Sequence, residues 1–308
     1  MSQFGNWLYY RRKFKLFVLP GFGSRQSNKN ILALTYERNW ELPDGWHANY
    51  FDIHSPFTFI TSPGLIIERE FNDGKAVYDW LYKRVFRKKT LKAFWFIDAH
   101  VSDKERMSYC NNFDFVFVAH SPYIDIVKKN TACKNIFWLP LCYPGMPGDI
   151  QQNIATSRYP VSFIGRFGNG FEARNEMINF LRKEYNGNFF TTTDFINSKK
   201  LIQESAVTTN CSIKDDLNFR VFETLGYGTE LVTNHVSDLD KIEGLKDKLY
   251  YFHNLNELKG QVDQVINDSA VKHDMPEIQQ WIRERHTMKS RLAEMLEMID
   301  TGKQLEYK

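Results

Sequence analysis

Three short, almost unbroken apolar runs restrict what this chain can fold into. Leu91–Ile97, Phe113–Ala119 and Asn135–Leu141 are of strand length and rich in aromatic and aliphatic residues. Each reads as a buried strand. Helical segments separate them, so a parallel, doubly wound α/β sheet is expected. In such a sheet the carboxyl edge carries the ligand. The first run delivers Asp98 and His100 to that edge. The second delivers His120, after which Ser121-Pro122 opens a helix. Asp98 and His100 are candidate catalytic groups, and His120 is a candidate for acceptor or donor contact. The competing reading is structural, since a lone histidine in an aromatic-rich chain commonly serves the core.

A second set of signals begins near residue 160. Residues 142–160 hold Pro144, Gly145, Pro147 and Gly148, then a polar run to Ser157, the composition of a linker. Val161-Ser162-Phe163-Ile164-Gly165 reads as a strand entering a glycine turn. Arg166 follows, and Arg174 opens a helix with Met177, Ile178, Phe180 and Leu181 as its buried stripe. Asn197–Val207 supplies a short helix and a strand leading into Asp215–Glu230. That segment opens on acidic and amide side chains and continues with Val221, Phe222 and Leu225 at helical spacing. It ends on Gly226 and Gly228, both expected to take the left-handed geometry that stops a helix. Leu231–Asn234 reads as the next strand. A polar loop entering a helix N-terminus is an anion site, because backbone N–H groups point outward there. Asp215 in the loop and Glu223 two turns into the helix can face one ligand. The bland alternative is that acidic residues here only offset the helix macrodipole.

The core Asn218, Arg220, Phe222 and Glu223, with Gly226 and Gly228 after it, resembles the donor-binding motif of GT-B glycosyltransferases, closest to the CgeB-like group. Asp215 and Glu223 occupy the two positions of the Glu-x7-Glu pattern of retaining GT-B enzymes, with Asp replacing the first Glu. Phe163-Ile164-Gly165 with its following arginines, and His286-Thr287 with Arg291, resemble further segments of the same group. The resemblance implies an α/β GT-B fold of two Rossmann-like domains, with parallel sheets facing an interdomain cleft. It divides the chain into an acceptor domain over 1–145, a nucleotide-sugar donor domain over 160–285, and a C-terminal helix over 286–308 that packs back on the first domain. It implies a hexosyl- or pentosyltransferase that uses a nucleotide-diphosphate sugar, retains configuration and needs no metal or other cofactor. Gly165 would let the backbone approach the donor. Arg166 or Arg174 would pair with the diphosphate, which the planar guanidinium suits. Glu223 would accept from the ribose hydroxyls, Asn218 and Arg220 would shape the loop, and Asp215 would approach the sugar.

The remaining segments are less specific. Lys15–Leu19 reads as a strand entering the turn Pro20-Gly21-Phe22-Gly23-Ser24, which makes Gly21 and Gly23 candidates for ligand contact. Ile31–Thr35 reads as a strand or a helix start, Phe57–Thr61 as a strand and Lys75–Lys89 as a helix with a basic end. Asn254–Ile266 and Met275–Met298 read as helices, and residues 301–308 as a frayed polar tail.

Hydrophobic residues make up 43% and charged residues 25% of the 308, which favours a packed core over disorder. A net charge of +3 is too small to mark a nucleic-acid footprint. Four widely spaced cysteines form no C-x-x-C pair, which argues against a zinc cluster or a disulfide framework. No apolar run reaches ~18 residues and no signal-peptide pattern opens the chain, so the expectation is a cytoplasmic protein without a membrane span. Trp7, Tyr9 and Tyr10 beside Arg11, Arg12, Lys13 and Lys15 fit a solvated arm or peripheral membrane contact. The acceptor is open, with a glycan or cell-surface polymer favoured over a modified nucleic acid. Three alternatives stand beside the transferase. They are a nucleotide-sugar epimerase, a non-catalytic nucleotide- or glycan-binding protein, and a nucleic-acid-modifying transferase using the basic arm and the Arg84–Lys89 cluster.

Overall fold

The computed structural model describes residues 91–102, 104–145, 157–190 and 195–307, and before them the backbone of four strands. The N-terminal arm, the Gly21–Gly23 turn, the Phe57–Thr61 strand, the Lys75–Lys89 helix and most of the 142–160 linker lie outside the described residues. The chain divides into two compact units, the first of residues 1–140 with 292–305, the second of residues 141–291 with 306–308.

The first unit is built on a seven-stranded sheet. Its strands are β1 (Lys15–Phe17), β2 (Ile31–Thr35), β3 (Tyr50–Phe51), β4 (Leu65–Arg69), β5 (Leu91–Phe96), β6 (Phe115–Val118) and β7 (Ile136–Trp138). Their order is β3-β1-β2-β4-β5-β6-β7. From β2 to β7 the pairing is parallel, with Ala93 opposite Phe115 and Val116 opposite Ile136. Two features depart from the expected doubly wound parallel sheet. β1 pairs antiparallel with both β2 and β3, and the parallel strands follow one another in chain order without a reversal. Helices α1 (Lys104–Tyr109) and α2 (Ile124–Asn130) flank β6 in sequence. Phe94, Phe96, Phe113, Val116, Val118 and Val127 fill the core between sheet and helices. Among the described residues of this unit, both indoles are used as donors. Trp95 Nε1 donates to Leu139 O at 3.0 Å and Trp138 Nε1 to Ala119 O at 3.2 Å, which ties the strand ends together.

The second unit is doubly wound. Its strands β8 (Tyr159–Ile164), β9 (Asn188–Phe190), β10 (Ser205–Asn210), β11 (Glu230–Asn234) and β12 (Tyr250–Phe252) are all parallel, in the order β12-β11-β10-β8-β9. The helices are α3 (Glu172–Glu184), α4 (Phe195–Gln203), α5 (Phe219–Gly226), α6 (Leu255–Asn267), α7 (Met275–Arg285) and α8 (Met288–Thr301), the last continuing into the residues of the first unit. Val161, Phe163, Met177, Leu181, Val207 and Val262 are central to its core. Hydroxyls run through the middle of this sheet. Ser162 and Thr208 pair at 3.3 Å, and Thr209 Oγ1 donates to Ser162 O at 3.0 Å. Each buried hydroxyl thereby keeps a partner and avoids the cost of an unmade hydrogen bond.

One C-terminal expectation is refined and one corrected. The 275–298 segment is two helices, broken at His286-Thr287, where Tyr143 N–H donates to His286 O at 2.8 Å. The tail is held rather than frayed. Trp138 N–H donates to Gln304 Oε1 at 2.7 Å, Gln304 Nε2 returns to Trp138 O at 3.0 Å, and Glu243 N–H donates to Tyr307 O at 3.0 Å. No described helix is long and apolar enough to cross a membrane.

Candidate functional site

Strand order reverses between β8 and β10, because the chain steps out to β9 and returns past β8. Such a reversal opens a crevice beyond the strand ends, where α/β sheets bind ligands. Three loops meet there, following β8, β10 and β11. Every donor-site residue expected from the sequence lies on the first two or on the helices they enter.

The loop after β8 is shaped by a side chain acting as backbone. Asn175 Oδ1 accepts from Gly168 N–H and its Nδ2 donates to Gly168 O, both at 2.7 Å. Gly168 and Gly170 take φ of +109° and +84°, so this loop needs glycine at both positions. Gly165 sits where a Cβ would be 3.0 Å from Phe163 Cζ. The two candidate arginines separate into different roles. Arg174 donates from Nε to Cys211 O at 2.7 Å and from Nη1 to Arg166 O at 3.1 Å, so it straps the β8 loop to the end of β10. Burial lowers the Arg174 pKa, opposed by Cys211 and Asp216. Arg166, by contrast, is exposed at the mouth of the loop.

Beyond β10 the polar side chains form one network. Asn210 Nδ2 donates to Thr233 Oγ1 at 3.0 Å and to Ser212 Oγ at 3.1 Å. Asn218 Nδ2 reaches Ser212 Oγ at 3.1 Å and Asn210 Oδ1 at 3.3 Å, while Asn218 Oδ1 caps α5 by accepting from Arg220 N–H at 3.1 Å. Asn234 repeats the Asn175 device, accepting from Ser212 N–H at 2.6 Å and donating to Ser212 O at 3.1 Å. The start of α5 is thereby fixed to the ends of β10 and β11.

On α5, Arg220 Nη1 and Glu223 Oε2 form an ion pair at 2.7 Å, with 16% and 14% of their side chains exposed. Glu223 lies one turn before the helix end. There Gly228 N–H bonds to Leu225 O at 3.0 Å and Thr229 N–H to Thr224 O at 3.2 Å, a Schellman motif with Gly228 at φ +75°. Gly226 is a correction to the sequence reading. It is helical, and it is small because a Cβ there would lie 2.6 Å from Tyr143 Cδ2. The Tyr143 ring also meets Tyr227 edge-on at 5.6 Å. Burial first, then Tyr143 and Glu223, raise the Tyr227 hydroxyl well above its ordinary pKa.

Asp215 is engaged within the protein. Its Oδ1 accepts from Ser237 N–H at 2.7 Å and its Oδ2 from Ser237 Oγ at 2.5 Å, bracing the β10 loop against the turn after β11. The His286-Thr287-Arg291 segment is likewise an internal fastening. Arg291 donates to Leu141 O at 3.3 Å and to His286 Nδ1 at 2.7 Å.

In the first unit, the His100 and His120 rings come together beyond β5 and β6. His120 is fully buried and its Nε2 meets Ile97 O at 2.9 Å, while the His100 and His120 rings meet edge to face at 5.0 Å. The Asp98 carbonyl accepts from Ser102 Oγ at 2.7 Å. Sequence reasoning missed Tyr143, Asn175, Asn234 and Ser237. Their partners are 7 to 143 positions away, and only the two asparagines, one at a strand end and one early in a helix, offered a local signal.

Residues 167–297, from the loop after β8 into α8, match the family model described as "Glycosyl transferase-like". Among solved structures, TarM aligns over 77% of this chain and 55% of its own, at 13% identity and a TM-score of 0.53. Anabaena HepE, solved with UDP and glucose, aligns over 78% of each chain at 11% identity and a TM-score of 0.52. The α,α-trehalose 6-phosphate synthase of Burkholderia multivorans covers 80% of this chain and 72% of its own at 8% identity, with a TM-score of 0.55. The aligned region is just over half of TarM. The fold is that of the GT-B glycosyltransferases. No curated protein matches by sequence.

Proposed function

We propose that this protein is a glycosyltransferase that takes a hexosyl or pentosyl group from a nucleotide-diphosphate sugar. The observation that carries the reading is the placement of Glu223. The Asn218 cap and the Tyr143–Gly226 contact fix α5, which carries Glu223, and the start of that helix is tied to the strand ends at the strand reversal. Glu223 accepts from the ribose hydroxyls, and nucleotide binding displaces or shares its ion pair with Arg220. Arg166 and the backbone N–H groups entering α3 meet the diphosphate, whose charge grows as the bond from the anomeric carbon to the β-phosphate oxygen breaks. The acceptor oxygen forms the new bond to the anomeric carbon, and its proton passes to the departing nucleoside diphosphate. The match over 167–297 supports this reading, as do the UDP complex of HepE and an S. aureus TarM variant solved with Fondaparinux, alpha-GlcNAc-glycerol and UDP. Retention, transfer without a metal, a cytoplasmic setting and a glycan-type acceptor belong to the same proposal.

The test is incubation with a panel of nucleotide sugars, with and without oligosaccharide acceptors, in the presence of EDTA. Acceptor-dependent nucleotide release and a sugar-bearing acceptor by mass spectrometry are expected. Acceptor-independent release of epimerised free sugar would instead identify an epimerase. A binding protein without turnover is the competing reading, favoured by the commitment of Asp215 to Ser237. Tight binding with no release under any acceptor would establish it.

A further inference from the structure

We propose that the turn Asn169-Gly170, after β8, is a self-modification site: the Asn169 side chain loses ammonia through a cyclic imide and becomes aspartate or isoaspartate, and the added charge weakens anion binding at this loop. The second half of the proposal rests on the nucleotide-sugar reading above. The chain holds two Asn-Gly pairs, Asn169-Gly170 and Asn186-Gly187. In such a pair the glycine nitrogen can attack the asparagine amide carbon, because no side chain on the glycine obstructs the approach. A bond forms from Gly170 N to Asn169 Cγ and the Cγ–Nδ2 bond breaks. The side-chain nitrogen leaves as ammonia and takes the proton of the Gly170 N–H. Water then opens the imide. Opening at the side-chain carbonyl gives aspartate, and opening at the backbone carbonyl gives isoaspartate.

The geometry favours the first pair. Phe171 N–H bonds to Gly168 O at 3.1 Å, so Asn169 and Gly170 are the central residues of a tight turn. Gly170 has φ of +84° and Asn169 has no positive φ, the pattern of a type II turn. Among the described residues neither the Gly170 N–H nor the Asn169 amide is drawn into a hydrogen bond, and both residues are exposed. The attacking nitrogen and its target carbon are therefore both open to water. The turn itself is held from outside, since Asn175 clamps Gly168 through two bonds of 2.7 Å. Asn186-Gly187 differs. It runs into β9, whose first residue Asn188 is in register with Ser162, and strand pairing limits the rotation that ring closure needs. Asn169 lies three residues after Arg166 and three before Glu172, the first residue of α3. A carboxylate at this position opposes a second anion at the same helix start, and the extra backbone atom of isoaspartate alters the turn.

The experiment holds the wild type in mildly alkaline buffer for days, beside Asn169→Ser and Asn169→Asp. Samples are read by intact mass, peptide mapping and isoaspartate-specific methylation. Calorimetry on the same samples measures affinity for the nucleoside diphosphate selected by thermal shift from UDP, GDP and dTDP. The expected result is a gain of one mass unit that mapping assigns to position 169, as aspartate and isoaspartate, with position 186 slower. Asn169→Ser should show no change at 169 and keep its own affinity throughout. Asn169→Asp should bind the diphosphate about fivefold more weakly than Asn169→Ser at low salt, with the gap narrowing at high salt. Wild-type affinity should fall toward that of Asn169→Asp in step with the conversion. No conversion at 169, or conversion at 186 that is as fast or faster, would overturn the site. Conversion at 169 with unchanged affinity would overturn its consequence and leave the nucleotide reading standing. A fresh wild type that binds none of the diphosphates would overturn the nucleotide reading and that consequence together, while the mass and the peptide map decide the modification by themselves.

Discussion

Arg291 Nη2 donates to His286 Nδ1 across 2.7 Å, and with 1% and 5% exposure both side chains are buried. A nitrogen that accepts from a guanidinium carries no proton, so the imidazole is neutral with its hydrogen on Nε2. Burial, then Arg291, Arg285 and Lys248, hold its pKa well below 6.5. The pair closes the fastening that joins the α7–α8 break to Leu141–Tyr143, and through the Tyr143 ring it reaches Gly226 on the helix of Glu223.

The first prediction concerns pH. The unfolded chain takes up a proton at His286 below about pH 6.5, and the folded protein does not until the pH reaches its depressed value. Stability therefore falls as pH drops below about 6.5, with a slope of up to roughly 1.4 kcal/mol per unit from this group. Urea midpoints at pH 7.5 and 5.5 measure it. His286→Asn, which keeps an acceptor for Arg291 but does not titrate, should remove about 1 kcal/mol of the wild-type difference. An unchanged difference would show that another group carries the pH dependence.

A second prediction separates the two glycines that end α5. Gly226→Ala forces a methyl against the Tyr143 ring and should cost about 1–3 kcal/mol by denaturant titration. Gly228→Ala should cost about 1 kcal/mol for backbone reasons alone. Coupled with Tyr143→Ala, the Gly226 cost should nearly vanish while the Gly228 cost persists, which a double-mutant cycle reads directly. Equal persistence of both would disprove the steric account of Gly226.

The extent to which this site was legible in the sequence follows from the same helix. Its apolar stripe, its Asn218 cap and the stop at Gly228 are local signals, and they marked α5 as the helix that carries Glu223. The parallel strands β5, β6, β7 and β8 were legible for a similar reason, as short apolar runs with polar ends. The role of Gly226 was not, because the ring that fills its space is 83 positions away. The same holds for Asp215. Motif spacing marks which residues are near a site but not which of two adjacent carboxylates a distant serine will capture. The antiparallel edge of the first sheet carried no signal either, since a strand of three residues such as β1 has no usable period.

A third prediction concerns the cap. Asn218→Ala should cost about 1–2 kcal/mol, losing both the N-cap bond and the donors to Asn210 and Ser212. Asn218→Asp keeps the cap and loses those donors, so chemical denaturation should place it between wild type and alanine. Equivalence of Asp and Ala would remove the cap from the account.

The two arginines give a fourth. Arg174→Lys cannot reach Cys211 O and Arg166 O together with a planar fork, so Tm should fall by several degrees, on the order of 1–2 kcal/mol. Arg166→Ala, at an exposed position, should leave Tm within about 1 °C and weaken diphosphate affinity by about tenfold. Calorimetry and a melting curve on each variant check both halves. The reverse pattern, a stable Arg174→Lys that fails to bind and an Arg166→Ala that binds normally, would exchange their roles.

The central claim is that Glu223 stands in a nucleotide site, and a thermal-shift screen of nucleoside diphosphates and nucleotide sugars on wild type and Glu223→Ala tests it most directly. Ligand at about 100 times its Kd should add roughly 2.7 kcal/mol of stability. The account predicts a rise in Tm with one nucleotide base, larger for its sugar conjugate and lost in Glu223→Ala. A folded wild type whose Tm no nucleotide moves, or a shift that survives unchanged in Glu223→Ala, would contradict it.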